Sequence, residues 1–190
     1  MNMHYFPSGW IEVICGPMFS GKTEELIRRL RRAQIAKQRV AIFKPKIDTR
    51  YSDTAIVSHT QMKLESHLVE SPREILEHSY DAQIIGIDEA QFFDETLIHV
   101  VRKMANGGKR VILAGLDRDY RGQAFGPMPL LLTEAEEVTK VTAICMKCGA
   151  PAHFSQRLSL ERGQVLVGET DKYEARCRRC FEGEQTSKLF

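Results

Sequence analysis

Gly16, Gly21, Lys22 and Thr23 fall within the stretch ICGPMFSGKTEEL, residues 14–26, at the spacing of a loop that holds a polyphosphate. The two glycines let the backbone of Gly16, Pro17, Met18, Phe19, Ser20 and Gly21 curl so that its N–H groups face inward. Lys22 then reaches the β and γ phosphates of a nucleotide, and the Thr23 hydroxyl joins a Mg²⁺ ion. A helix beginning near Lys22 adds its positive end. A glycine-rich turn before an amphipathic helix is the plainer alternative. The question the stretch raises is what receives the phosphate: water, as in a motor ATPase, or a small molecule, as in a kinase.

A second acidic site follows in IIGIDEAQFF, residues 84–93. Asp88 and Glu89 end a buried strand, and ligands of open α/β sheets gather at that edge. An Asp there holds Mg²⁺ directly or through water, and the adjacent Glu accepts a proton from a nucleophile. Two carboxylates beside a polyphosphate repel it unless a cation lies between them. Ordinary solvated acids are the alternative. Asp88-Glu89-Ala90-Gln91 also resembles the acidic motif of helicases and related ATPases, which keeps a nucleic-acid motor with a zinc ribbon in play. Such engines need a second domain or subunit to supply arginines, and this chain has no room for a second such domain.

Cys145-x-x-Cys148 and Cys177-x-x-Cys180 enclose a 28-residue insert, 149–176. Two such turns aim four thiolates at one point, which makes a closed, structural Zn²⁺ site with no open position for catalysis. Disulfides or free thiols are the alternative, disfavoured in a chain whose start does not read as an export signal. The expected role is to brace a loop that would otherwise not fold, since metal binding contributes folding free energy. Cys15, beside the phosphate loop, reads as a small buried residue.

A flat, uncharged acceptor needs aromatic and aliphatic walls. Met18, Phe92, Leu116, Tyr120 and Phe125 are candidates near the proposed site, with core packing the alternative for each. Arg50 and Arg157 could stabilise charge on a transferring phosphoryl group; solvated arginines are the alternative.

The elements that must position these residues alternate. Strands are expected at 9–15, 39–44, 82–88, 109–115 and 138–144, and helices at 23–38, 71–80, 93–108 and 130–137. Residues 45–66 read as a long loop with a short hairpin, and 115–129 as another loop. This pattern predicts an α/β fold: a parallel-sheet domain bearing the phosphate loop over 1–143, a small C-terminal zinc-binding subdomain over 144–181 with a hairpin-like QVLVG at 164–168, and a disordered tail over 182–190. The 190 residues suffice for one such core, with 43% apolar and 27% charged residues, an ordinary mixture. A net charge of +2 with dispersed Lys and Arg does not advertise nucleic-acid binding. No apolar run approaches the length of a bilayer span, and a cytoplasmic location is expected.

In their order, GPMFSGKT, KPKIDTRYS, IGIDEAQFF, GLDRDYRGQAFG, VTAICMKCG and DKYEARCRRC make the chain resemble the small, zinc-containing thymidine kinases, from about Ile11 to Phe181. The resemblance implies transfer of the ATP γ-phosphate to the 5′-hydroxyl of thymidine, and of deoxyuridine, with Mg²⁺. It implies that Glu89 accepts the hydroxyl proton, that Asp88 serves the Mg²⁺ site, and that Met18, Phe92, Leu116, Tyr120 and Phe125 line the nucleoside pocket. It puts Ser155 near the thymine methyl, Leu166 to Tyr173 in a lasso whose backbone reads the base, and Arg50 in a flexible loop. It also implies a homotetramer inhibited by thymidine triphosphate in the acceptor site. Departures at Tyr120, Ser155 and around Lys46-Ile47 bear on fine substrate preference. A zinc-bearing nucleotide sensor without chemistry is disfavoured by the intact set of Lys22, Thr23, Asp88 and Glu89.

Overall fold

The strand β1 (Trp10–Cys15) is buried on both faces, and its alternate residues go to two different cores. Ile14 joins Leu26, Ile27, Leu30 and Ala33 of helix α1 (Lys22–Ile35), while Val13 and Cys15 face the opposite side. The same division holds in β7 (Arg110–Gly115), where Ile112 and Ala114 pack toward α1 and Val111 and Leu113 away from it. Burying an aliphatic side chain fully is worth about 2 kcal/mol, so strands apolar on both faces demand cover on both.

The computed structural model describes residues 9–46, 55–57, 63–158 and 172–182. The chain continues through β2 (Val40–Pro45), a hairpin of β3 (Ala55–Val57) and β4 (Lys63–Glu65), β5 (His67–Val69), α2 (Pro72–His78), β6 (Ile84–Ile87), a 3-10 turn (Ala90–Phe92) and α3 (Thr96–Asn106). After β7 come α4 (Met128–Glu134), β8 (Glu137–Lys140), β9 (Ala143–Ile144), β10 (Pro151–Ala152), β11 (Phe154–Arg157) and β12 (Tyr173–Arg176). The central sheet has the order β5-β2-β6-β7-β1-β8, with every adjacent pair parallel. α1 covers one face; α3 and α4 contribute to the core on the other. The α/β fold expected from the sequence is the fold observed. Two small antiparallel pairs, β9 with β10 and β11 with β12, stand apart from the main sheet.

Several boundaries differ from the sequence reading. The helix expected at 130–137 starts at Met128, because Pro127 and Pro129 are tolerated in a first turn, and it ends at Glu134. Glu136 is drawn off to β1 instead: its N–H donates to the Ile11 carbonyl (3.1 Å) and its carboxylate accepts from Ile11 N–H (2.7 Å). The strand expected at 138–144 is two pieces. β8 pairs with β1 only as far as Lys140 opposite Cys15; β1 stops there, so the chain departs and re-forms as β9. The expected helix at 93–108 begins at Thr96, after the 3-10 turn, and β5 was not anticipated. The hairpin in 45–66 is present. Arg50, Leu166, the segment 164–168 and residues 183–190 of the expected tail lie outside the described residues.

A charged pair lies inside this core. Glu12 on β1 is buried and accepts from Arg29 Nη1 (2.6 Å), Arg110 Nε (2.5 Å) and Trp10 Nε1 (2.7 Å). Burial alone would raise its pKa; the arginine and indole hydrogen bonds and the Arg110 charge more than reverse this, holding it below the ordinary value.

Candidate active site at the carboxyl edge of the sheet

β6, β7 and β1 are neighbours, so the segments leaving their carboxyl ends meet. From β1 comes the loop Gly16–Thr23. Gly16 has φ +150, and a Cβ there would stand 2.3 Å from the Val141 carbonyl. Gly21 has φ +81 and caps α1. Both positions therefore require glycine. Within the loop, Ser20 Oγ donates to the Pro17 carbonyl (2.7 Å), as does Lys22 Nζ (2.6 Å). Burial lowers the Lys22 pKa, while Glu89, Asp88 and Asp117 pull it back up.

From β6 comes Asp88, fixed by its N–H donating to the Phe43 carbonyl of β2 (2.9 Å). Thr23 Oγ1 donates to Asp88 Oδ2 at 3.2 Å, so the loop's hydroxyl and the acid are in contact. Desolvation, with the Glu89 charge beside it, raises the Asp88 pKa; hydrogen bonds from Glu89 N–H and Thr23 work against the shift. A buried carboxylate held this way beside Thr23 is a pair of oxygen donors suited to Mg²⁺.

Glu89 is left-handed at φ +53, an uncommon conformation for a residue with a Cβ and one that clusters at functional positions. The kink starts the 3-10 turn and swings the Glu89 carboxylate to Gln91, whose Nε2 donates to Glu89 Oε2 at 2.5 Å. The Gln91 Oε1 in turn accepts from Leu116 N–H (2.9 Å), just past β7. Gln91 is 2% exposed. Ala90, beside it, is buried in the core.

Phe92 and Phe125 meet edge to face at 5.5 Å, adjoining this bridge. Tyr120 lies under the Arg157 guanidinium at 3.6 Å, and Arg157 Nη2 donates to the Tyr173 hydroxyl at 2.8 Å. Ser155 of β11 accepts from Met18 N–H at 2.9 Å. The structure thus brings together Met18, Ser155 and the phosphate loop, and separately Tyr120, Arg157 and Tyr173. Phe19, also left-handed (φ +64), is exposed. Sequence reasoning missed Asp117. It is buried just past β7, bound by Lys140 Nζ through Oδ2 (2.6 Å), and its Oδ1 has no hydrogen-bond partner. The signal was available: an Asp at the carboxyl end of a buried strand, like Asp88.

The Sγ atoms of Cys145, Cys148, Cys177 and Cys180 lie within 4.8 Å of one another, with Cys148 and Cys177 at 3.6 Å. Four thiolates about 2.3 Å from a tetrahedral Zn²⁺ stand about 3.8 Å apart, so the set fits zinc. Each pair closes a turn: Gly149 N–H donates to the Cys145 carbonyl (2.8 Å), and Phe181 N–H to that of Cys177 (2.9 Å). Among the described residues, no helix is long and apolar enough to cross a membrane.

A family model described as thymidine kinase matches residues 9–181. A thymidine kinase of Rhodothermus sp. is 61% identical over 174 residues, covering 92% of this chain and 82% of its own length. That of Bacteroides thetaiotaomicron is 55% identical over 184 residues, covering 95% and 92%. That of Bacteroides fragilis is 56% identical over 174 residues, covering 92% and 87%.

Proposed function

Because the chain belongs to the thymidine kinase family and phosphorylates thymidine with ATP, we propose that its acceptor atom is the 5′-hydroxyl and that Glu89 takes the proton from it. The observation that carries this reading is the Gln91 bridge. It holds Glu89 between the phosphate loop's partner Asp88 and the Leu116 backbone, beside the aromatic pair that would face a base.

The transition state of phosphoryl transfer is loose, so the protein's work is positioning and charge stabilisation. The backbone from Gly16 to Thr23 and the Lys22 ammonium hold the donor's phosphates. Thr23 and Asp88 would hold Mg²⁺, which neutralises charge on the β and γ phosphates when bound. Glu89 Oε2 is occupied by Gln91, leaving Oε1 to accept the 5′-hydroxyl proton. Met18, Phe92, Leu116, Tyr120, Phe125 and Ser155 wall the nucleoside, and Leu166 and Tyr173 belong to its cover. That cover excludes water, which would otherwise compete as acceptor. Arg50 would stabilise charge on the transferring phosphoryl group.

Residues 1–143 form the donor domain in this reading, and 144–181 the zinc-braced cover. The enzyme accepts deoxyuridine as well, works as a cytoplasmic homotetramer in nucleotide salvage for DNA synthesis, and is inhibited by thymidine triphosphate in the acceptor site. These properties rest on the family resemblance.

The test is transfer of label from γ-labelled ATP with Mg²⁺, offering thymidine, deoxyuridine, deoxycytidine or water alone. The expected product is a labelled 5′-monophosphate with thymidine and deoxyuridine only. Free phosphate formed regardless of nucleoside would overturn the reading.

A further inference from the structure

Ser155 sits on β11, in the part of the chain that carries the thiolate cluster, yet its hydroxyl is engaged with the phosphate loop. It is 4% exposed, and its Oγ accepts the N–H of Met18 at 2.9 Å. In loops of this kind the inward N–H groups are what hold phosphates, so their orientation sets donor affinity. Here the Met18 N–H of the same loop is turned to a side chain 137 residues later in sequence, which fixes the path of the backbone that carries those groups.

β11 is itself anchored to the cysteines. Ser155 pairs with Ala175 of β12, and His153 N–H donates to the Arg176 carbonyl (3.2 Å). Cys177 follows β12 directly. On its other side Ala175 accepts, through its carbonyl, the N–H of Met146 (2.9 Å), inside the first cysteine turn. A continuous path therefore runs from both cysteine turns through Ala175 to Ser155 and on to Met18, with backbone pairing at every step but the last.

We propose that Ser155 is a positioning residue for the phosphate loop, and that through it the assembled four-cysteine module sets the affinity for the phosphate donor. This rests on the reading of Gly16–Thr23 as the ATP loop. It assigns a donor-side role to a residue that the family resemblance places only on the acceptor side. The hydroxyl oxygen is the functional atom: threonine keeps it, and alanine leaves the Met18 N–H without its partner in a partly buried site.

The experiment is equilibrium titration of the zinc-loaded protein with a fluorescent ATP analogue and Mg²⁺, with no nucleoside present. Wild type, Ser155→Ala and Ser155→Thr are compared, and amide exchange at Met18 is followed by NMR. Ser155→Ala is expected to bind the analogue roughly three- to tenfold more weakly, the loss of one net hydrogen bond, and to exchange the Met18 amide faster. Ser155→Thr stays near wild type in both. Removing zinc from the wild type reproduces the alanine result.

Unchanged analogue binding in Ser155→Ala, with only the preference between thymidine and deoxyuridine altered, would overturn the proposal. So would a Met18 amide that exchanges freely in the zinc-loaded wild type, a readout independent of whether any variant folds. A wild type that phosphorylates thymidine but binds no ATP analogue through this loop would remove the premise itself.

Discussion

Gln91 and Glu89 are joined by a 2.5 Å hydrogen bond whose direction is not free to reverse. Leu116 N–H donates to Gln91 Oε1, which obliges the amide to turn its Nε2 toward the carboxylate. Gln91 therefore presents a donor to Glu89 Oε2 and leaves Oε1 out of this bond.

Two substitutions separate base from clamp. Glu89→Gln is expected to retain ATP binding and lose about 10²- to 10⁴-fold in kcat, the ordinary worth of a general base. Gln91→Met keeps side-chain length but removes donor and acceptor. Its kcat should fall roughly 10- to 100-fold with the KM for ATP little changed, as for a misplaced catalytic group. Steady-state kinetics in both substrates measure this; near-normal turnover in Glu89→Gln would end its assignment as base.

Glu12 sets a prediction about acid. Its folded pKa lies below the ordinary 4.5, so its contribution to stability is complete above the unfolded pKa and is lost as pH falls through the folded one. Glu12→Gln should cost about 3 kcal/mol near neutrality by leaving Arg29 and Arg110 short of a buried partner. As pH falls through its lowered folded pKa the wild type also protonates this residue, so the two melting curves should converge. Calorimetry over a pH series descending from neutral checks this; a constant gap would mean that the cost is packing and not charge.

Zinc release tests the cysteine cluster. One Zn²⁺ per chain is expected by native mass spectrometry, and Cys145→Ser should abolish it. Both chelation and this substitution should raise the thymidine KM and lower the melting temperature, because the metal contributes folding free energy to the hairpins it joins. Unchanged thymidine affinity in the metal-free protein would show that the cover folds without it.

Gly16→Ala probes the loop's backbone. The added methyl would meet the Val141 carbonyl at 2.3 Å in a conformation rarely adopted by residues with a side chain. ATP binding, followed by titration, should be lost, with a stability cost on the order of 1–3 kcal/mol from backbone strain. Wild-type ATP affinity would mean the loop re-forms by moving aside Val141, between β8 and β9.

The sequence by itself determined what is local and chemically specific. Gly16, Gly21, Lys22 and Thr23 occupy consecutive turns of one loop, Asp88 and Glu89 adjoin one strand end, and each cysteine pair lies within one turn; their types and spacing were enough to single them out. Alternating strands and helices determined the fold class, because a strand apolar on both faces requires cover on both. Tertiary structure alone decided the pairings between distant segments. Gln91 reaches Leu116 because β6 and β7 are neighbours. Asp117 meets Lys140, and Met18 meets Ser155, because the chain from β8 crosses the phosphate loop on its way to the cysteines. Glu12 meets Arg110 because the order of strands sets β7 beside β1, and Arg29 because α1 lies across it. Strand order is a collective property of packing: no residue carries it, and the contacts that depend on it have no signature in local spacing.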